Sequence, residues 1–135
     1  RAMAPCQVIC AYDASFGAGL LDALAQVAVD RQPVLLIAYD SEYPAPLHAK
    51  RDTPDCGAVA LLLSPKPEGA LGALTVTPTT VVAEPLVDAS LESLRVSIPA
   101  MRALPLLRRV ARADAGTVVL DYLAPMQLNV DWRPC

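Results

Sequence analysis

The sequence predicts a layered α/β domain with a mixed sheet and a buried small-residue helix, and three observations carry that prediction. Residues 6–40 read in succession as an apolar β-branched run, a sharp turn, a helix and a second apolar run, the pattern of one βαβ unit. Those runs lack polar alternation, as strands covered on both faces do. Hydrophobic residues make up 54% of the chain and aromatics only 4%, so Ala, Val and Leu must build the core. Small apolar residues suit closely packed layers of helix and sheet.

The first strand is expected at Gln7–Ala11 and the second at Val34–Ala38. Between them the turn Tyr12-Asp13-Ala14-Ser15 leads into a helix from about Ala14 to Asp30. Asp13 is expected to cap it, with Ser15 as the alternative cap one register later. Phe16, Leu20, Leu21, Leu24, Val27 and Ala28 recur at helical spacing, while Gly17, Ala18, Gly19, Ala23 and Ala25 leave little side chain elsewhere. Glycine costs about 1 kcal/mol against alanine inside a helix. Two of them therefore imply a close neighbour, which places the helix between layers. Pro33 ends the helix and introduces the next strand.

Residues 41–54 (SEYPAPLHAKRDTP), between Asp40 and Asp55, are rich in proline and charge without a period and read as a long loop. A third buried strand is expected at Gly57–Leu63 and a fourth, nearer an edge, at Ala73–Thr77. Leu91–Leu94 suggests a short helical turn. A firmer helix follows Pro99, with Met101, Leu104, Leu107 and Val110 on one side and Arg102, Arg108, Arg109 and Arg112 mostly on the other. Its true start is expected near Pro105, since proline is tolerated in a first turn. The arginine side reads as solvated, with an anionic partner as the alternative. Thr117–Leu120 and Met126–Val130 then read as two closing strands, paired as a hairpin.

The chain of 135 residues reads as a single domain, and its start at Arg1, so close to an apolar strand, reads as a missing N-terminal part. A net charge of −3 offers no basic footprint for nucleic acid. No apolar run approaches the roughly 18 residues of a membrane span, and no signal peptide is visible, so a cytoplasmic protein is expected. Cys6, Cys10, Cys56 and Cys135 form no C-x-x-C pair, and Cys6 and Cys10 fall on one face of the first strand, where buried thiols are expected. The single His48 has no ligand-spaced neighbour, which leaves no metal site. Gly17 and Gly19 lie inside the helix without a third glycine, so no dinucleotide cofactor is expected. Asp40 ends a strand as a ribose-binding acid does, but without a phosphate loop it reads as a capping acid. Ser15 lacks both the G-x-S-x-G frame and a triad partner.

Several of these stretches resemble one family. Cys10–Leu21 (CAYDASFGAGLL), Val34–Asp40 (VLLIAYD), Tyr43–His48 (YPAPLH), Ala58–Ser64 (AVALLLS) and Arg102–Arg108 (RALPLLR) are similar to β-ketoacyl synthase-like proteins of the chain length factor type. These accompany polyketide, aryl polyene and fatty-acid-type gene clusters. The resemblance covers most of the chain and implies a partial thiolase-like layered domain, a C-terminal fragment of the whole. It implies that the turn corresponds to the elbow where active ketosynthases carry a cysteine nucleophile, whose thiolate a helix N-terminus favours. Asp13 falls at or beside that position and cannot hold a thioester. Active members also use two histidines, and His48 matches neither motif.

The resemblance thus implies a noncatalytic subunit that pairs with an active ketosynthase as a heterodimer, or with itself, and allows an acyl carrier protein as a further partner. Pro5–Ala11 is expected to pair with a partner strand, and Tyr12, Asp13, Phe16, Gly17 and Gly19 to lie at the pocket or interface. Two other readings stand beside it. One is an acyl-transferring enzyme that uses Cys10, Ser15 or Asp13. The other is a structural homo-oligomer without a ligand.

Overall fold

Helix α1 (Ser15–Asp30) forms where the spacing places it and buries Phe16, Gly17, Gly19, Leu20, Ala23 and Val27 in the computed structural model, which describes residues 5–135. The start at Arg1, from which a missing part is inferred, lies outside the described residues. Arg31 adopts the left-handed conformation (φ 57°) and returns its N–H to the Val27 carbonyl, which closes the helix before Pro33. Both glycines have the close neighbours that their cost demands. A Cβ on Gly19 would meet Leu36 Cδ1 at 2.9 Å, and one on Gly17 would meet Tyr122 Cδ2 at 3.0 Å and the Asp121 carbonyl at 3.3 Å. The helix is therefore held between the two sheets, as its composition requires.

Strand β1 (Val34–Asp40) pairs antiparallel with β2 (Gly57–Leu63), from Val34 opposite Leu63 to Asp40 opposite Gly57. The second sheet has three strands in the order β3 (Gly72–Thr79), β5 (Gln127–Pro134), β4 (Gly116–Leu120), again antiparallel. The closing hairpin and the edge position of β3 agree with the sequence, and Pro78 is tolerated because an edge strand leaves one side unpaired. Helix α2 (Ala89–Ser97) follows an Asp88 cap whose carboxylate accepts from the Ser90 and Leu91 N–H groups at 2.9 and 3.1 Å. Helix α3 (Leu104–Arg112) carries Pro105 in its first turn.

The fold is mixed α/β, but several expectations give way. No strand forms at Gln7–Ala11, so the βαβ unit and the mixed sheet are replaced by two antiparallel sheets among the described residues. Residues 5–10 form no regular element and have no ladder partner; Val8 is 89% exposed, and Cys6 and Cys10 are exposed free thiols rather than buried ones. A β-branched run needs a neighbouring strand to become one, and none lies alongside it here. Strands β1 and β2 are each buried on one face only.

The face of α3 is also rotated from its expected position. Ala103, Pro105 and Leu106 are fully buried, Leu104, Leu107 and Val110 are half-buried, and Arg102 turns inward. Pro99–Ala103 winds as a 3-10 helix of about 3.0 residues per turn, which shifts the angular register that an α-helical reading assumes. The core joins α1, the inner faces of both sheets and α3 through Phe16, Leu20, Val59, Leu63, Leu106, Leu120, Leu128 and Val130.

Candidate functional site

The turn before α1 is a 3-10 turn over Tyr12–Ala14 whose first residue, Tyr12, holds a left-handed conformation at φ 53°. A non-glycine residue rarely adopts this conformation, and such strain clusters at functional turns. The apex of the elbow is thus Tyr12, one residue before Asp13, and its ring is largely exposed. Ser15 braces the turn. Its Oγ accepts from the Ala11 N–H at 3.0 Å and donates to the Tyr12 carbonyl at 2.7 Å.

Neither Asp13 nor Ser15 caps α1, whose first N–H groups receive no side-chain acceptor. The carboxylate of Asp13 is taken by arginines instead. Arg51 grips it with both terminal nitrogens, Nη1 to Oδ2 at 3.2 Å and Nη2 to Oδ1, while its guanidinium lies 5.0 Å from the Tyr12 ring centroid. Arg102 Nη2 approaches the same carboxylate at 3.8 Å. Two guanidinium groups outbid a few backbone N–H dipoles for one anion, which explains the lost cap.

This contact is one end of an alternating chain of charges. Arg102 Nη1 pairs with Asp121 Oδ2 at 2.8 Å, Asp121 pairs with Arg95, and Arg95 reaches Glu92 through Nε at 2.8 Å and Nη2 at 2.6 Å. Arg95 is 7% exposed, so its charge must be matched, and the acids on both sides raise its pKa against the opposing effect of burial. Glu92 also accepts from the Leu86 N–H at 2.8 Å. The Arg95 hydrogen bonds, followed by that from Leu86, hold the Glu92 carboxyl down at about 2. Arg102 Nε is buried without a hydrogen-bond partner among the described residues. Three acids thus alternate with three arginines, tying α2, the β4–β5 connection, the 3-10 helix, the elbow and the loop 41–56 into one neutral network.

The other residues named from the sequence fall elsewhere. Cys10 is exposed, two residues before the apex. Phe16, Gly17 and Gly19 pack in the core against β1 and the β4–β5 region. His48 sits in an exposed 3-10 turn (Leu47–Ala49), 3.7 Å from Asp52. Asp40 is a cap, but of a remote element: its Oδ2 accepts from the Ala100 N–H at 2.6 Å, at the start of the Pro99–Ala103 helix. Among the described residues no group of three or more His, Cys, Asp or Glu is placed to hold a metal, and no helix is long and apolar enough to cross a membrane.

Sequence reasoning missed Arg51, Glu92, Arg95 and Asp121 and read Arg102 as solvated. Only the Glu92–Arg95 pair, three residues apart on one helix, left a local signal. The arrangement can hold the elbow and the loop in place, and it engages the Asp13 carboxylate with Arg51 and Arg102. In a comparison with protein families, the model described as beta-ketoacyl synthase, N-terminal domain, matches residues 1–112. The chain belongs to this β-ketoacyl synthase family, and the match ends before β4. No curated protein and no solved structure was found to match it.

Proposed function

We propose that this chain is a noncatalytic, ketosynthase-like subunit of the chain length factor type, which pairs with an active β-ketoacyl synthase and helps to bound the pocket where an acyl chain grows. The observation that carries the proposal is the state of the elbow. Where an active ketosynthase presents a thiol, this turn presents the ring of Tyr12 and a carboxylate, Asp13, that two arginines already engage. A carboxylate so paired is a poor nucleophile and forms no thioester. The largely exposed backbone of residues 5–10, which makes no backbone hydrogen bond among the described residues, supports pairing of the Pro5–Ala11 stretch with a partner strand, and the bare apolar face of β1–β2 supports assembly more generally. Polyketide, aryl polyene or fatty-acid-type biosynthesis is the setting this reading implies, with acyl carrier protein as a further partner.

The test has two arms. Incubation with an isotope-labelled acyl thioester, followed by intact mass spectrometry, is expected to leave the chain unmodified. Co-expression with a full-length ketosynthase is expected to yield a complex that co-purifies through size exclusion. An adduct on Cys10 would favour the acyl-transferring reading, because this thiol is exposed and close to the turn. Self-association alone, without a ketosynthase complex, would favour the structural homo-oligomer.

A further inference from the structure

The arginines of α3 stand apart from those of the elbow. Arg51, Arg95 and Arg102 each meet a carboxylate, whereas Arg108, Arg109 and Arg112 make no ion pair among the described residues. Arg109 alone has a recorded hydrogen bond, from Nη1 to the Ala115 carbonyl at 3.4 Å, a weak one. All three line a cleft of about 370 Å³ whose other walls are the irregular segment around Val81–Leu86 and strand β4.

That cleft runs along an edge. It is lined by Thr117, Val118 and Val119 in succession, and consecutive strand residues point to opposite faces, so a cavity touching all three lies beside the strand and not over one face. Strand β4 is the end strand of its sheet, bonded to β5 alone. No other backbone hydrogen bond reaches residues 117–120. The outward N–H and C=O groups of β4 therefore face the cleft unpaired, opposite a wall of free guanidinium groups. Glu84 and Asp114 also line it, which leaves the cleft one positive charge in excess, three arginines against two acids, within a chain of net charge −3.

We propose that this cleft takes an extended acidic segment of a partner protein, added as a strand to the free edge of β4. The backbone of the segment would satisfy the edge, as in other strand-addition complexes. Its alternate acidic side chains meet Arg108, Arg109 and Arg112 on the face of β4 that Gly116 and Val118 share, where Arg109 lies 3.2 Å from the position a Gly116 Cβ would take, and the residues between them lie on the face of Thr117 and Val119. Arginines placed only to guard the edge against association would repel a basic strand but bind no acidic one.

The probe is a fluorescein-labelled octapeptide of alternating Val and Glu, titrated against the full chain by fluorescence anisotropy. Saturable binding that weakens as salt rises is expected, since partly exposed charges are screened. Methylation of alternate backbone nitrogens of the peptide is expected to abolish binding, and the double variant Arg108→Glu/Arg112→Glu to weaken it by about tenfold or more. Should that variant not fold, Arg108→Gln/Arg112→Gln replaces it, and the N-methyl arm stands by itself. No saturable binding, equal binding of a Val–Lys peptide, or indifference to N-methylation or to the arginine variants would each overturn the proposal.

Discussion

The two sheets of this protein obey opposite rules on their outer faces. In the three-stranded sheet, Thr75 and Thr117 flank Asp131, and Thr77 and the half-buried Val119 flank Asn129, while Leu74, Val76, Val118, Leu128, Val130 and Trp132 point inward. That is the alternation of a sheet with one wet face. In the two-stranded sheet the outward pairs are Leu35–Leu62, Ile37–Ala60 and Tyr39–Ala58, apolar without exception. Tyr39 is 75% and Leu62 71% exposed. The first sheet is finished by water and the second is not. A two-stranded sheet is marginal by itself, and one with an uncharged outer face is suited to being covered. The difference separates the part of the molecule that is closed, around β5 and the ion network, from the outer face of β1 and β2, which is open to assembly.

The largest effect is expected on the closed side. Arg95→Ala leaves Asp121 and Glu92 without their shared cation, and removing one partner of a buried pair costs about 3–5 kcal/mol. Chemical denaturation should show that loss, and the neighbouring Arg102→Ala, less buried, should lose less. Gly17→Val drives a side chain toward Tyr122, Leu128 and the Asp121 carbonyl, and overpacking of this kind costs about 1–3 kcal/mol. A Gly17→Val protein with unchanged stability would mean that α1 is not clamped between the sheets.

Acid should act on the same side. Glu92 titrates at about 2 in the folded protein against an ordinary 4.5, so its contribution is complete above 4.5 and is lost as pH falls from there toward 2. Thermal melting followed across that range should show a decline that Glu92→Gln flattens. The smallest effect on stability is expected at the bare face. Ile37→Thr with Leu62→Thr should move the unfolding free energy of the isolated chain by about 0.5 kcal/mol or less per site, as exposed substitutions do. The same pair should reduce association, read by size exclusion with and without a ketosynthase. A large loss of stability in the isolated chain would erase the contrast between the sheets.

What could be read from the sequence follows the range of the interaction. Helix α1 with its end at Asp30, strands β2 and β3, and the closing hairpin all come from local periodicity and turn residues; they appear near where expected, with β5 running on past Val130 to Pro134. The need of Gly17 and Gly19 for close neighbours was legible too, because the helical cost of glycine is local. The Gln7–Ala11 strand failed because propensity supplies no partner. The solvated reading of Arg102 failed because a 3-10 segment changes which residues share a face. The site failed most, since Asp13 meets Arg51 across 38 residues and Arg95 meets Asp121 across 26. No spacing rule reaches that far.

The sequence by itself determined the mixed α/β class, the turn before α1 and the family to which the chain belongs. Only the tertiary structure decided that Tyr12 forms the apex, that Asp13 is a counter-ion and not a cap, and that one sheet keeps a bare apolar face. The physical reason is the same in each case. Helices and turns are fixed by neighbours along the chain, whereas a buried charge or an uncovered face depends on which distant groups the fold brings alongside it.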